Sequence, residues 1–99
     1  MTRQHGRRDG NQNEIVAALR RAGYFVIDLA DLGNGVFDLL VVSKSKFRLV
    51  TLMEVKIPGQ WLTPEEQIFY DTYPGEKTIV FSMDEALAHM ALLDELEAI

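Results

Sequence analysis

Two strand-like stretches carry charge where charge is costly. Asp38 lies within the apolar run 36–42, and Glu54 and Lys56 close the run 47–56. Side chains on a strand alternate between faces, so Glu54 and Lys56 share one face, with Cα atoms about 6.5 to 7 Å apart. The short polar connection 43–46 makes the two stretches an antiparallel hairpin, which brings Asp38 within a few residues of Glu54. Two carboxylates converging at a strand end suit a hard, oxygen-preferring divalent cation such as Mg2+. A lysine beside them can orient a water and neutralise charge growing on a pentavalent phosphate, which is the chemistry of phosphodiester hydrolysis. The same residues also suit a plain ion pair, Asp38 or Glu54 with Lys56, because a buried charge is costly unless paired. Residue types alone leave both readings open.

The elements that must position these groups follow from periodicity and punctuation. Asn11 or Asn13 is a candidate cap for a first helix with Ile15, Ala18, Leu19 and Ala22 at helical spacing; Arg20 and Arg21 suit its C-terminal end, and Gly23 stops it. Residues 24–29 read as a strand, and Asn34 and Gly35 supply turn chemistry before the strands 36–42 and 47–56. Pro58 and Gly59 end the third strand. Thr63, Pro64 and Glu66 then mark a capped helix reaching about Tyr73, with Glu66 in the reciprocal capping position. Pro74 and Gly75 break it, 78–81 is a short strand, and Ser82 with Glu85 starts a last helix that runs to about Glu97. The order αβββαβα gives an α/β domain with a mixed central sheet flanked by helices. At 99 residues the chain is read as one domain, 1–99, with 1–10 a flexible basic arm.

Gly35-x-x-Asp38, then Glu54-Val55-Lys56, then Gln67 eleven positions further on inside a capped helix, form an ordered set. This set resembles the restriction-endonuclease-like PD-(D/E)XK superfamily and, within it, the VRR-NUC family of virus-type replication-repair nucleases, over nearly the whole chain. The resemblance implies a Mg2+- or Mn2+-dependent DNA endonuclease. It implies that Asp38 and Glu54 hold the metal with the Val55 carbonyl, and that Lys56 positions or activates the attacking water. Gln67 would orient a water or phosphate, and Glu14 is a helix-borne acidic residue near the metal. One departure stands out: the family commonly has proline before the aspartate, and Phe37 occupies that position here.

Composition narrows the alternatives. With no cysteine, disulfides, thiolate zinc sites and cysteine nucleophiles are excluded, and His5 and His89 are too far apart in sequence to suggest a zinc cluster. Ser43, Ser45 and Thr51 have no histidine partner in the right context for serine-type catalysis. The longest apolar run, four residues at 39–42, falls far short of the ~20 that a membrane span needs. An intracellular, cytoplasmic setting without membrane contact is expected, and the resemblance admits a viral (phage) origin and a role in DNA repair. The net charge of −5 weighs against a nucleic-acid partner, but residues 1–21 carry +3 and residues 84–99 carry −5. Arg3, Arg7 and Arg8 in the arm and Trp61 in a loop are candidate DNA contacts.

The last helix presents Ala86, Leu87, Met90, Ala91, Leu92, Leu93 and Leu96, an apolar face wider than one small sheet needs. A homodimer through this face would set two sites for paired cuts on a two-fold substrate such as a four-way (Holliday) junction. No base-reading element is evident, so selection by DNA shape is expected; the resemblance implies branched or junction DNA, with flaps, nicked duplex and single strands also open. A nuclease-like fold that only binds DNA or a protein is the competing reading. A third is a subunit that acts when a larger replication or repair protein docks on the last helix.

Overall fold

A computed structural model describes residues 11–96. The chain runs α1 (Gln12–Arg21), β1 (Phe25–Asp28), a 3-10 turn (Ala30–Leu32), β2 (Leu39–Val42), β3 (Val50–Val55), α2 (Pro64–Thr72), β4 (Glu76–Val80) and α3 (Met83–Leu96). The expected order αβββαβα is the observed one. The strands form one sheet in the order β1-β2-β3-β4, antiparallel except for the parallel pair β3 and β4, whose crossover is α2. Among the described residues no helix is long and apolar enough to cross a membrane.

Strand alternation sets the core. Val26, Leu39, Val41, Met53, Val55 and Val80 face one way and pack against Ile15, Val16 and Leu19 of α1 and Ala86, Met90 and Leu93 of α3. Gly23, at φ +97°, ends α1, where the Tyr24 N–H donates to the Leu19 carbonyl and closes the last turn. The other face is less covered. In register, Phe25, Val42 and Val50 form a row across it, with Phe25 60% exposed, so this half of the sheet keeps apolar surface in solvent.

α2 meets the molecule through Phe37. That side chain is fully buried, with its ring 5.2 Å from Phe69 and 6.2 Å from Tyr70 between centroids. Gly35 takes φ +81°, and a Cβ there would strike the backbone of Glu65, so glycine is needed both for the turn and for the close approach of α2. The residue that departs from the expected proline is thus the apolar anchor of α2.

Some expected boundaries shift. Residues 36–38 lie outside β2 and Lys56 lies one residue past β3, so Asp38 and Lys56 flank the strands instead of sitting inside them. Residues 47–49 belong to the hairpin connection, because Arg48 adopts φ +52° and the Ser43 and Leu49 backbones close the loop. Asn11 precedes α1 but makes no side-chain cap; its Nδ2 donates instead to the carbonyl of Phe81 at 3.0 Å, tying the start of α1 to the end of β4.

Candidate active site

The β2–β3 register pairs Leu39 with Met53, so one step further Asp38 stands opposite Glu54. The hairpin therefore delivers both carboxylates to one end of the sheet. Asp38 is half-buried, and its Oδ2 accepts the Val55 N–H at 2.9 Å, which fixes the side chain against the last residue of β3. Glu54 is only 2% exposed, beside Lys56, whose Nζ lies 3.3 Å from Glu54 Oε2.

A fourth group completes the cluster. Glu66, in the first turn of α2, places Oε1 2.9 Å from Lys56 Nζ. Its position follows from local sequence: Thr63 Oγ1 accepts the Glu66 N–H, Glu66 Oε1 accepts the Thr63 N–H, and Pro64 occupies the first helical turn. The sequence marks Glu66 as a capping residue; that the cap faces β3 depends on the docking of α2 through Gly35 and Phe37.

The Lys56 ammonium faces two carboxyl groups, Glu54 and Glu66, and the charge of Asp38 is felt at Glu54. Burial, then the charge of Asp38, then a hydrogen bond to Glu66 and its charge, only partly offset by Lys56, push the Glu54 carboxyl up to about 9. Burial alone would lower the Lys56 ammonium, but its hydrogen bond to Glu66 and the charge of Glu54 outweigh this and hold it above its ordinary value. Burial would likewise raise Glu66, yet the Thr63 N–H and the hydrogen bonds to Glu54 and Lys56 hold it low. Glu54 Oε1 is buried with no donor among the described residues. An acceptor left in that state is costly, so a proton or a cation is favoured there.

The residues fit a hard divalent ion to this extent: the donors are all oxygen, Asp38 is near enough for its charge to be felt at Glu54, and Glu54 Oε1 lacks a donor among the described residues. Mg2+ commonly takes one or two carboxylates and keeps several waters. Among the described residues no three His, Cys, Asp or Glu side chains are grouped to hold a metal, so a ready-made cage is absent. Val55 closes β3 beside this pair, with its side chain in the core.

Not every expected site residue is brought together. Glu14 stands exposed on α1, because Gln12, Ile15, Val16 and Leu19 are the buried side of that helix, and it does not complete a three-carboxylate group. Gln67 is exposed and its Nε2 donates to Asp71 Oδ1 at 3.0 Å along α2, one residue round the helix from Glu66. Trp61 is 60% exposed in the loop after β3, its indole stacked on Phe81 with centroids 6.3 Å apart and planes 15° apart. Tyr73 stacks on Phe69 and belongs to the packing of α2. His89 on α3 is half-buried and bonded to Glu76 at 3.2 Å. Arg3, Arg7, Arg8 and His5 lie outside the described residues.

Comparison with protein-family models, curated proteins and solved structures finds no match to this chain.

Proposed function

We propose that the chain is a Mg2+- or Mn2+-dependent DNA endonuclease hydrolysing phosphodiester bonds. The observation that carries this reading is the buried Oε1 of Glu54, which has no donor among the described residues, in a side chain that feels the charge of Asp38 and is paired with Lys56. A purely structural ion pair would satisfy its buried acceptors; here Glu54 Oε1 has no donor among the described residues, and a cation would meet it. Asp38 and Glu54 would hold the ion, and when bound it supplies Lewis acidity towards the phosphodiester. Lys56 carries three donors on its ammonium, enough to orient an attacking water and to offset charge growing on the phosphate. Glu14 and Gln67 stand outside the cluster, exposed on α1 and α2.

The substrate is proposed to be branched DNA, with a four-way junction first, recognised by shape. The exposed outer face of the Trp61 indole is a stacking surface for an unpaired base, and base–aromatic stacking is indifferent to sequence. A homodimer is supported by α3, where Leu92 and Leu96 remain exposed although Ala86, Met90 and Leu93 already fill the core. A larger replication or repair protein could occupy the same helix.

The competing reading, a nuclease-like fold that binds DNA or protein without cutting, is favoured by the outward placement of Glu14 and Gln67. One experiment separates them: cleavage of labelled four-way junction, flap and linear duplex DNA with Mg2+, Mn2+ or EDTA, by wild type, Lys56→Ala and Asp38→Ala. Metal-dependent cutting lost in both variants supports the nuclease. No cutting of any substrate, with binding equal in all three proteins, leaves the binding module.

A further inference from the structure

Lys56 is held from two sides that differ in origin. Glu54, two residues earlier on the same strand face, approaches Nζ at 3.3 Å, whereas Glu66 reaches it from α2 at 2.9 Å. The shorter contact therefore comes from another element. Glu66 is itself immobilised, because the oxygen that meets Lys56 also accepts the Thr63 N–H at 2.9 Å and the Glu66 N–H donates to Thr63 Oγ1 at 3.2 Å. A lysine ammonium on its four-carbon stem has many rotamers, and it keeps one position only where fixed anions define it. Glu54 cannot define it alone if its carboxylate also serves a cation, since that charge is then shared.

The geometry points to Glu66 as the positioning residue for Lys56: it holds Nζ beside Glu54 and ties the ammonium to the capped first turn of α2. This rests on the nuclease reading above. The tie extends to the fold, because α2 is seated by the glycine turn at Gly35 and the buried ring of Phe37. A capping-box glutamate ordinarily serves its helix alone; here the same carboxylate is shared between the cap and the site.

The test uses the full chain with Glu66→Gln, Glu66→Asp, Thr63→Ala and Lys56→Ala. Four quantities are read: kcat and KM on junction DNA, Tm, and Mn2+ affinity by calorimetry. Glutamine keeps an oxygen able to accept the Thr63 N–H, so the cap survives while the charge facing Lys56 is lost. Glu66→Gln is expected to lower kcat at least tenfold, with KM and Mn2+ affinity each within threefold of wild type. Glu66→Asp, which keeps the charge but withdraws it by one methylene, should lose kcat to a smaller degree. Thr63→Ala should lower Tm by about 4–8 °C through the weakened cap but keep the Thr63 N–H that holds Glu66 Oε1, so kcat should fall clearly less than in Glu66→Gln. The proposal is overturned if Glu66→Gln keeps kcat within twofold, or if kcat in Thr63→Ala falls as far as in Glu66→Gln, which would make the role one of helix stability. A tenfold loss of Mn2+ affinity in Glu66→Gln would also overturn it, by making Glu66 a ligand. Wild-type protein that cuts no DNA with either metal overturns the nuclease reading itself, and the positioning role with it.

Discussion

At the hairpin end of the sheet, Tyr24 Oη donates to Asp94 Oδ2 at 2.7 Å, the Lys44 N–H donates to Asp94 Oδ1 at 2.9 Å, and Lys44 Nζ donates to the Ala22 carbonyl at 2.6 Å. The same ammonium lies 4.6 Å from the centre of the Tyr24 ring. At the opposite end, Glu54 and Glu66 both face Lys56, and Glu54 Oε1 finds no donor among the described residues. Both ends join distant parts of the chain through polar groups, but only one matches acceptors with donors. A satisfied network fixes a fold; a crowded, under-satisfied one carries a cost that a bound cation can relieve. This contrast separates a structural polar cluster from a candidate site more sharply than burial or charge does alone.

The comparison breaks most severely at Lys56. Lys56→Ala is expected to reduce the cleavage rate by about 10²- to 10⁴-fold, the range for loss of a positioned acid–base group, while circular dichroism still reports a folded chain. Gly35→Ala should follow. It forces a side chain into a left-handed backbone against Glu65, and denaturant unfolding should register a loss of about 1–3 kcal/mol. Because α2 carries Glu66, cleavage should fall with it.

Glu54→Gln sharpens the contrast in a metal-free buffer. The carboxyl of Glu54 is raised from 4.5 to about 9, chiefly by burial and next by the charge of Asp38, so the folded state favours its protonated form. That contribution is complete below pH about 4.5 and is lost as pH rises through about 9. Metal-free wild type should therefore lose stability over this window relative to Glu54→Gln, as read by urea unfolding at several pH values. A difference between the two proteins that does not change with pH would mean that Glu54 is charge-balanced.

Tyr24→Phe, at the satisfied end, has the smallest expected effect. Losing a hydrogen bond to a charged acceptor should cost about 1–3 kcal/mol in unfolding experiments and leave the cleavage rate within twofold. A large loss of cleavage with unchanged stability would erase the distinction between the two ends.

Much of this was legible in the sequence, for identifiable reasons. Alternation and the polar connection gave the hairpin, because strand periodicity is a local property, but the connection extends through 47–49, and that longer loop sets the register that brings Asp38 to Glu54. The capping motif at Thr63 placed the start of α2, and Gly23 the end of α1. What sequence could not supply were orientations set by tertiary packing. Gln67 and Glu66 are neighbours on one helix, and the seating of Phe37 on Phe69 and Tyr70 turns Glu66 inward and leaves Gln67 to Asp71. Glu66 carried a signal, its capping position, but that signal explains itself without a site. Glu14 looked suitable by its place in the first helix, yet the buried side of α1 is set by Gln12, Ile15 and Leu19. The Tyr24–Asp94–Lys44 network joins residues up to 70 positions apart and has no local signature.

The most direct test of the under-satisfied end as a divalent-ion site is a Mn2+ titration of thermal stability, comparing wild type, Glu54→Gln and Tyr24→Phe. Wild type and Tyr24→Phe should gain stability as Mn2+ rises, by about 2.7 kcal/mol at a hundredfold excess over Kd, and Glu54→Gln should gain little. An equal response in all three proteins, or no response in wild type, would contradict a cation site at Asp38 and Glu54.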